Sequence, residues 1–218
     1  MTRKTGIVFA GGEGPAPEAV RRACGHCADA LVVAADSGLL LAEAAGLAPD
    51  WVVGDMDSLG GDHPSLLRYP ASRIERHDPD KDLSDTELAL NVLWDQGCLD
   101  AWIVGGGGGR LAHILAIRDL FERERAPRRW LTAGEDARRV DPGETLRAEL
   151  EPGDVVSVFP LGGGPWKAES GGLKWELGGA RWERGLHGIS NVALGRDVEI
   201  RAAQGRFLAI MEVTCLRR

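Results

Sequence analysis

Short apolar runs, each cut off by glycine or aspartate, recur through the first part of the chain: Gly6–Ala10, Leu31–Ala35, Trp51–Val53 and Ala101–Val104, with Ser72–Arg76 as a further short strand and Arg129–Thr132 completing the pattern. Runs of this length without polar alternation are how strands buried on both faces of a parallel sheet read. Helical stretches lie between them. Pro17 opens one that runs through Cys24, since proline suits a first helical turn. Leu39–Ala45 is a second, stopped by Gly46. Ser84 and Glu87 spell a capping box, and Leu88, Val92 and Leu93 share the buried face of the helix that follows. Leu111–Arg123 is the fourth, and Gly60–Tyr69 reads as a connecting segment. Strand and helix in alternation predict a three-layer α/β domain around a mostly parallel sheet.

From Gly134 onward the pattern changes. Thr145–Leu150, Val155–Phe159, Val198–Ala202 and Phe207–Val213 read as short strands, separated by turns such as Gly162-Gly163-Gly164-Pro165, and no helix stands out. This predicts a small antiparallel β-sandwich domain. The boundary falls near 133–143, giving domains 1–135 and 136–218. Trp166, Trp175 and Trp182 lie in the second; such residues belong to a core unless partly exposed, where they can stack on an aromatic ligand.

The 218 residues suffice for a substantial core, and 44% hydrophobic with 27% charged residues is the composition of a soluble globular protein. A net charge of −7 argues against a general nucleic-acid binder, which carries a basic face. It leaves nucleotides open, because a metal can bridge their phosphates. Met1–Thr5 leads straight into an apolar strand, without a signal-peptide core, and no apolar run reaches membrane-spanning length. The expectation is a cytoplasmic protein with neither membrane nor nucleic acid as partner. Of the four cysteines, Cys24 and Cys27 sit late in the first helix, one turn apart, while Cys98 and Cys215 stand alone. A thioredoxin-like pair would open a helix and a zinc site would need a second pair, so reduced, structural thiols are expected.

Candidate chemistry gathers at strand ends. The run Trp51–Val53 stops at Gly54 and delivers Asp55 and Asp57, then Ser58, onto a loop. In α/β sheets ligands sit beyond the carboxyl ends of the strands. Two carboxylates so close repel each other unless a cation lies between, usually Mg²⁺ with phosphate oxygens; a solvated turn is the plain alternative. Leu31–Ala35 likewise ends in Asp36-Ser37-Gly38, where Asp36 either caps the next helix or faces the same edge as Asp55 and Asp57. Lys81, Asp82 and Asp85 cluster at the positive start of the helix opened by Ser84, a suitable place for a phosphate–metal group. The Asp-rich stretch from Asp78 is no calcium loop, since Leu83 and Ala89 occupy the positions that need Gly and Glu. Gly105 to Gly109 place bare backbone after a strand, with the Arg110 guanidinium at a helix start, where it suits phosphate oxygens; a flexible connector is the alternative. The Gly11-Gly12-Glu13-Gly14 loop lacks a Walker lysine, and no acidic ribose anchor follows a clean G-x-G-x-x-G, which sets aside a nicotinamide dehydrogenase.

Taken in order, Asp36-Ser37-Gly38, Gly54-Asp55-Met56-Asp57-Ser58, Asp80-Lys81-Asp82-Leu83-Ser84-Asp85-Thr86, Gly108-Gly109-Arg110-Leu111-Ala112-His113, Gly172-Leu173-Lys174-Trp175 and Gly188-Ile189-Ser190-Asn191 resemble the motifs of the thiamin pyrophosphokinase (thiamine diphosphokinase) family over nearly the whole chain. The resemblance implies an N-terminal α/β ATP-binding catalytic domain, a C-terminal β-sandwich that binds thiamine, and a homodimer with active sites at the subunit interface. It implies transfer of a pyrophosphoryl group from Mg-ATP to the thiamine hydroxyl, giving thiamine diphosphate and AMP, with positioning and charge neutralisation as the protein's main task. Asp36, Asp55 and Asp57 would hold Mg²⁺. Asp55, Asp57 and Asp85 would be catalytic, with Asp85 orienting or deprotonating the hydroxyl or completing the metal shell. Lys81 and Arg110 would bind phosphate oxygens within a set that includes Ser37, Gly38, Ser58, Asp82 and Gly109. Ser190 and Asn191 would contact thiamine, with Trp175 in the aromatic wall. The chain departs from the family pattern Gly-Gly-Arg-x-Asp-His, with Asn four residues on: Ala112 stands for the Asp and Ile117 for the Asn. His187 stands where the family often has Arg. A paralogue with another hydroxyl-bearing acceptor, its pocket reshaped at Ala112 and Ile117, and a non-catalytic nucleotide or thiamine-diphosphate binding protein are the alternatives.

Overall fold

The computed structural model describes residues 5–25, 27, 29–60 and 63–213; Met1–Lys4 and Cys215, invoked above, lie outside them. Two compact units are present. One runs to Leu120 and takes in Trp130–Ala133; the other comprises Phe121–Arg129 and the chain from Gly134 on.

In the first unit, strands β1 (Thr5–Ala10), β2 (Leu31–Ala35), β3 (Trp51–Gly54), β4 (Ile74–Arg76), β5 (Asp100–Gly105) and β6 (Arg129–Leu131) lie in the order β6-β5-β1-β2-β3-β4. The pairings β5–β1, β1–β2, β2–β3 and β3–β4 are all parallel. Helices α1 (Pro17–Cys24), α2 (Gly38–Ala44), α3 (Asp85–Asp95) and α4 (Leu111–Leu120) connect them. Ala34 and Val52 pack with Leu39 of α2, whereas Gly6 faces α3 so closely that an added Cβ would come within 2.6 Å of Leu93. Gly6 pairs with Leu31, which by strand alternation points away from Ala34. The two helices therefore cover opposite faces, and the unit has three layers. The chain builds outward from β1 through β2, β3 and β4, then returns to place β5 on the other side of β1. That reversal is a topological switch point, where ligands bind beyond the strand ends.

The second unit is all antiparallel. Strands β7 (Glu135–Val140), β8 (Thr145–Glu149), β9 (Val155–Leu161), β10 (Lys167–Gly171), β11 (Gly188–Val192), β12 (Asp197–Gln204) and β13 (Arg206–Glu212) form two sheets, β11-β9-β13-β7 and β10-β12-β8. Val156, Val158, Phe207 and Met211 of the first meet Ala168, Val198, Ile200 and Ala202 of the second in one core, which makes this a sandwich.

Three strands of this unit have no apolar run to announce them. In β7 the sequence Glu-Asp-Ala-Arg-Arg-Val buries Asp136 alongside Ala137 and Val140, and Arg129 and Arg138 hold its carboxylate at 2.7–3.0 Å. The polar β10 and the bulged β11 are likewise absent from the runs that read as strands. One helix end and the placement of one cysteine also differ from expectation. Helix α4 ends at Leu120 rather than Arg123, where the chain passes into the second unit and the Glu122 carboxylate accepts the Gly162 N–H. Cys24 is the last residue of α1 and Cys27 lies beyond it, joined by a Cys27 N–H to Cys24 carbonyl bond of 2.8 Å, so the pair does not share a helix face. Cys24, Cys27 and Cys98 are thiols. Among the described residues no helix is long and apolar enough to cross a membrane.

Candidate phosphate and metal site

Strand β3 stops at Gly54, whose φ of 144° is open to glycine and strained for other residues. A Cβ here would lie 3.1 Å from Asp85 Oδ1 and 3.2 Å from Asp36 Cβ, so its absence lets the two acids flank the strand end. Two residues on, Met56 has φ 65° and a fully buried side chain packed with Ala34, Leu39, Val52, Leu59 and Leu66. This anchor draws the loop down and leaves Asp55 and Asp57, on either side, facing out. Asp36, itself at φ 48°, comes to the same place from the end of β2. One carboxylate oxygen from each of Asp36, Asp55 and Asp57 lies within 4.8 Å of the others.

Hydrogen bonds hold the acids in this arrangement. The Ser58 hydroxyl donates to Asp36 Oδ2 in a short bond and lies 3.2 Å from Asp57 Oδ1, while the Asp57 N–H donates to Asp55 Oδ1 at 3.0 Å. Lys81 Nζ sits 3.0 Å from Asp55 Oδ2 and 3.1 Å from Asp85 Oδ1. The Asp57 N–H foremost, then Lys81, outweighs burial and holds the Asp55 carboxyl below its ordinary range. Burial foremost, with the charges of Asp85 and Asp57, pushes Asp36 up against the Ser58 hydrogen bonds. For Lys81, burial pulls the ammonium down but the two carboxylates prevail, and the net shift is upward.

These residues fit a hard divalent cation. Asp36 Oδ1 is buried without a hydrogen-bond partner, an arrangement that is costly unless something else supplies positive charge. Carboxylate oxygens are the hard donors Mg²⁺ takes, usually one or two of them together with substrate phosphates and water, and this trio supplies them.

The trio opens onto a cleft of about 500 Å³ lined by Asp36, Ser37, Ser58, Lys81, Asp82, Asp85, Arg110 and His113, and by glycines of two loops. At its edge α3 begins with the expected capping box: Ser84 N–H donates to Glu87 Oε2 at 2.9 Å and Glu87 N–H to Ser84 Oγ at 3.4 Å. The glycine run after β5 is no loose connector. Glu13 and Gly107 exchange backbone hydrogen bonds of 2.7 and 2.9 Å, strapping this loop to the one after β1. Trp130 Nε1 donates to the Gly105 carbonyl from below at 2.7 Å. A Cβ at Gly105 would fall 2.3 Å from the Ala10 carbonyl oxygen, so only glycine lets the loops approach.

Of the sequence candidates, Asp36, Ser37, Ser58, Lys81, Asp82, Asp85, Gly109 and Arg110 line the cleft, and Asp55 and Asp57 join through the carboxylate trio. Gly38 does not. It is buried where α2 meets β1, and a Cβ there would collide with the Phe9 carbonyl at 2.0 Å. Gly11, Gly12, Thr86 and His113 also line the cleft; the sequence shows them only as members of the Gly11–Gly14 loop and of the Asp80–Thr86 and Gly108–His113 motifs, which assign Thr86 and His113 no individual role. Ala112 is exposed on the first turn of α4. Ile117 is buried beneath Gly106, supporting the glycine loop rather than shaping the cleft wall.

In the second unit, β11 shifts register between Gly188 and Asn191, with Ser190 at φ 59°. Ile189 and Ser190 are exposed, while Asn191 is buried and engaged by its own backbone neighbours. His187 stacks on Phe159 with ring centroids 4.9 Å apart. Trp175 is 55% exposed.

Two family models match in tandem: the thiamin pyrophosphokinase catalytic domain over residues 27–128 and the thiamin pyrophosphokinase vitamin B1 binding domain over residues 144–207. The chain belongs to the thiamin pyrophosphokinase family. That is a family of enzymes. The fold agrees with solved structures of other thiamin pyrophosphokinases. The one from Geobacillus thermodenitrificans is 24% identical with a TM-score of 0.75, covering 97% of this chain and 99% of that one. A thiamin pyrophosphokinase family protein from Enterococcus faecalis is 22% identical with a TM-score of 0.75, covering 96% and 98%. The thiamine pyrophosphokinase from Bacillus subtilis is 21% identical with a TM-score of 0.74, covering 96% and 99%. At these identities the likeness speaks to the fold. No curated protein sequence matches the chain.

Proposed function

We propose that the protein is a thiamine diphosphokinase that transfers a pyrophosphoryl group from Mg-ATP to the hydroxyl of thiamine, giving thiamine diphosphate and AMP. The carrying observation is the convergence of Asp36, Asp55 and Asp57 at the mouth of a glycine-walled cleft that also holds Lys81, Asp85 and Arg110. Bound by the trio, Mg²⁺ would supply neutralisation of the triphosphate charge and activation of the β-phosphorus.

The chain's own groups do the rest. Arg110 and the backbone N–H groups of Gly108 and Gly109 bind phosphate oxygens, helped by the positive start of α3. Lys81, now shared by Asp55 and Asp85, binds a phosphate oxygen as the nucleotide enters. Asp85 orients the acceptor hydroxyl and takes its proton as the new P–O bond forms. In the second unit, Ser190 and Trp175 meet the acceptor. The reading includes a cytoplasmic homodimer with active sites at the subunit interface.

Incubation with Mg-ATP and thiamine, read by chromatography, tests this: AMP and thiamine diphosphate should appear in equal amounts. ATP binding without either product would overturn it. A second reading, a family member with another hydroxyl-bearing acceptor, rests on the missing carboxylate at Ala112. AMP formed from Mg-ATP only when a different alcohol is supplied would favour it. If thiamine is the acceptor, Ala112→Asp should raise turnover.

A further inference from the structure

Gly188-Ile189-Ser190-Asn191 is the motif through which the resemblance assigns thiamine contacts, yet Asn191 has little left to offer a ligand. Its Oδ1 accepts the Trp175 N–H at 3.1 Å and the Val192 N–H at 2.9 Å, and its Nδ2 donates to the Trp175 carbonyl at 2.6 Å. Both lone pairs of the oxygen and one of the two amide hydrogens are thereby engaged, and the residue is only 5% exposed. Both polar backbone groups of a single residue, Trp175, are held by one side chain.

We infer that Asn191 is a positioning residue: it fixes Trp175 as a platform for the cationic heteroaromatic acceptor and does not itself touch that ligand. The inference rests on the proposed thiamine diphosphokinase reading. The local backbone shows why a side chain is needed. Ordinary pairing ties this segment together as far as Lys174, whose N–H donates to the Val192 carbonyl at 2.9 Å, with Leu194 N–H donating to Gly172 carbonyl at 2.9 Å on the other side. Beyond Lys174 the ladder is interrupted: β11 shifts register between Gly188 and Asn191, and Ser190 is left-handed. The Asn191 carboxamide, one donor and one acceptor in a plane, takes both backbone groups of Trp175 at this break.

Buried Leu173 and Leu177 pin the chain on both sides, so the Trp175 ring is held out to solvent from a fixed backbone. A rigid, exposed indole binds an aromatic ligand without first losing conformational freedom. Its face already attracts a cation, since Lys174 Nζ lies 4.5 Å from the ring centroid. A positively charged aromatic ring can take that place.

A double-mutant cycle over Trp175→Ala and Asn191→Ala tests this, with KM for thiamine, KM for ATP, kcat and calorimetric thiamine affinity measured for all four proteins. Trp175→Ala should weaken thiamine binding at least about tenfold. Asn191→Ala should weaken it about five- to tenfold, with KM for ATP unchanged, and should add nothing in the Trp175→Ala background. Asn191→Asp, which keeps the acceptor but loses the donor to the Trp175 carbonyl, should fall between and serves if the alanine variant does not fold. Accessibility of Trp175 to acrylamide, taken as the difference from Trp175→Phe, should rise in both Asn191 variants. Additive losses would mean Asn191 meets the ligand directly and would overturn the inference. Normal thiamine affinity in Trp175→Ala, with thiamine diphosphate still formed, would remove the platform while leaving the reaction standing. Absence of both thiamine binding and product in the unsubstituted protein would remove the functional reading itself, and this inference with it.

Discussion

Met56 makes two opposed demands on its position, and their balance can be measured. Its side chain is fully buried against Ala34, Leu39, Val52, Leu59 and Leu66, yet its φ is 65°. Met56→Ala loses the burial and leaves a cavity, at a cost of about 2–5 kcal/mol. The alanine still has a Cβ in the left-handed region, a strain of about 1–2 kcal/mol. Met56→Gly loses the same side chain but releases that strain, against an unfolded-chain entropy penalty of about 0.5–1 kcal/mol. The glycine variant should therefore be more stable than the alanine variant by about 0.5–1 kcal/mol, the reverse of the order found in helices and strands. Both should melt below the unsubstituted protein, since each kcal/mol moves the midpoint of a chain this size by roughly 2–4 °C. Thermal and urea unfolding of the three proteins, with and without Mg²⁺, is the assay. The Mg²⁺-dependent rise in Tm should shrink in both variants, because Asp55 and Asp57 lose the anchor between them. A glycine variant no more stable than the alanine variant would refute strain at this loop. An undiminished Mg²⁺ effect would refute its role in placing the acids.

Two further outcomes follow from the charges. Asp57 is exposed, so Asp57→Ala should leave Tm without Mg²⁺ unchanged while abolishing its Mg²⁺-dependent increment and lowering Mg-ATP turnover by at least about 10²-fold; retained turnover would sink the metal assignment. Asp136 is buried, which alone would raise its carboxyl, but Arg129 and Arg138 outweigh this and hold it below the ordinary 3.8. Its stabilising effect is therefore full above that ordinary value and disappears as pH falls through the lower folded one. Asp136→Asn should cost about 3 kcal/mol near neutrality and flatten the acid limb of a Tm–pH curve. Parallel curves for the two proteins would count against this.

Much of the site is legible in the sequence because it is local. Apolar runs mark β1, β2, β3 and β5, the residues after them must lie at the carboxyl edge of the sheet, and successive strands ending in Asp36 and Asp55 must bring those acids near each other. The Ser84–Glu87 capping box is likewise a short-range bond written in residue spacing. The second unit is less legible, since β7, β10 and β11 carry polar residues in place of an apolar run, and the burial of one such residue, Asn191, depends on Trp175, 16 residues away.

The sequence by itself determined the α/β and β-sandwich order, the family motifs and the placing of carboxylates at strand ends, because hydrophobic periodicity and turn chemistry act over a few residues. Only the tertiary structure decided which motif residues face the cleft. Gly38 packs against β1, Ile117 supports a loop from beneath, and Asn191 turns inward to Trp175. A motif specifies which side chain stands at a position. The direction it points depends on backbone φ and on long-range packing, as Met56 and Ser190 show.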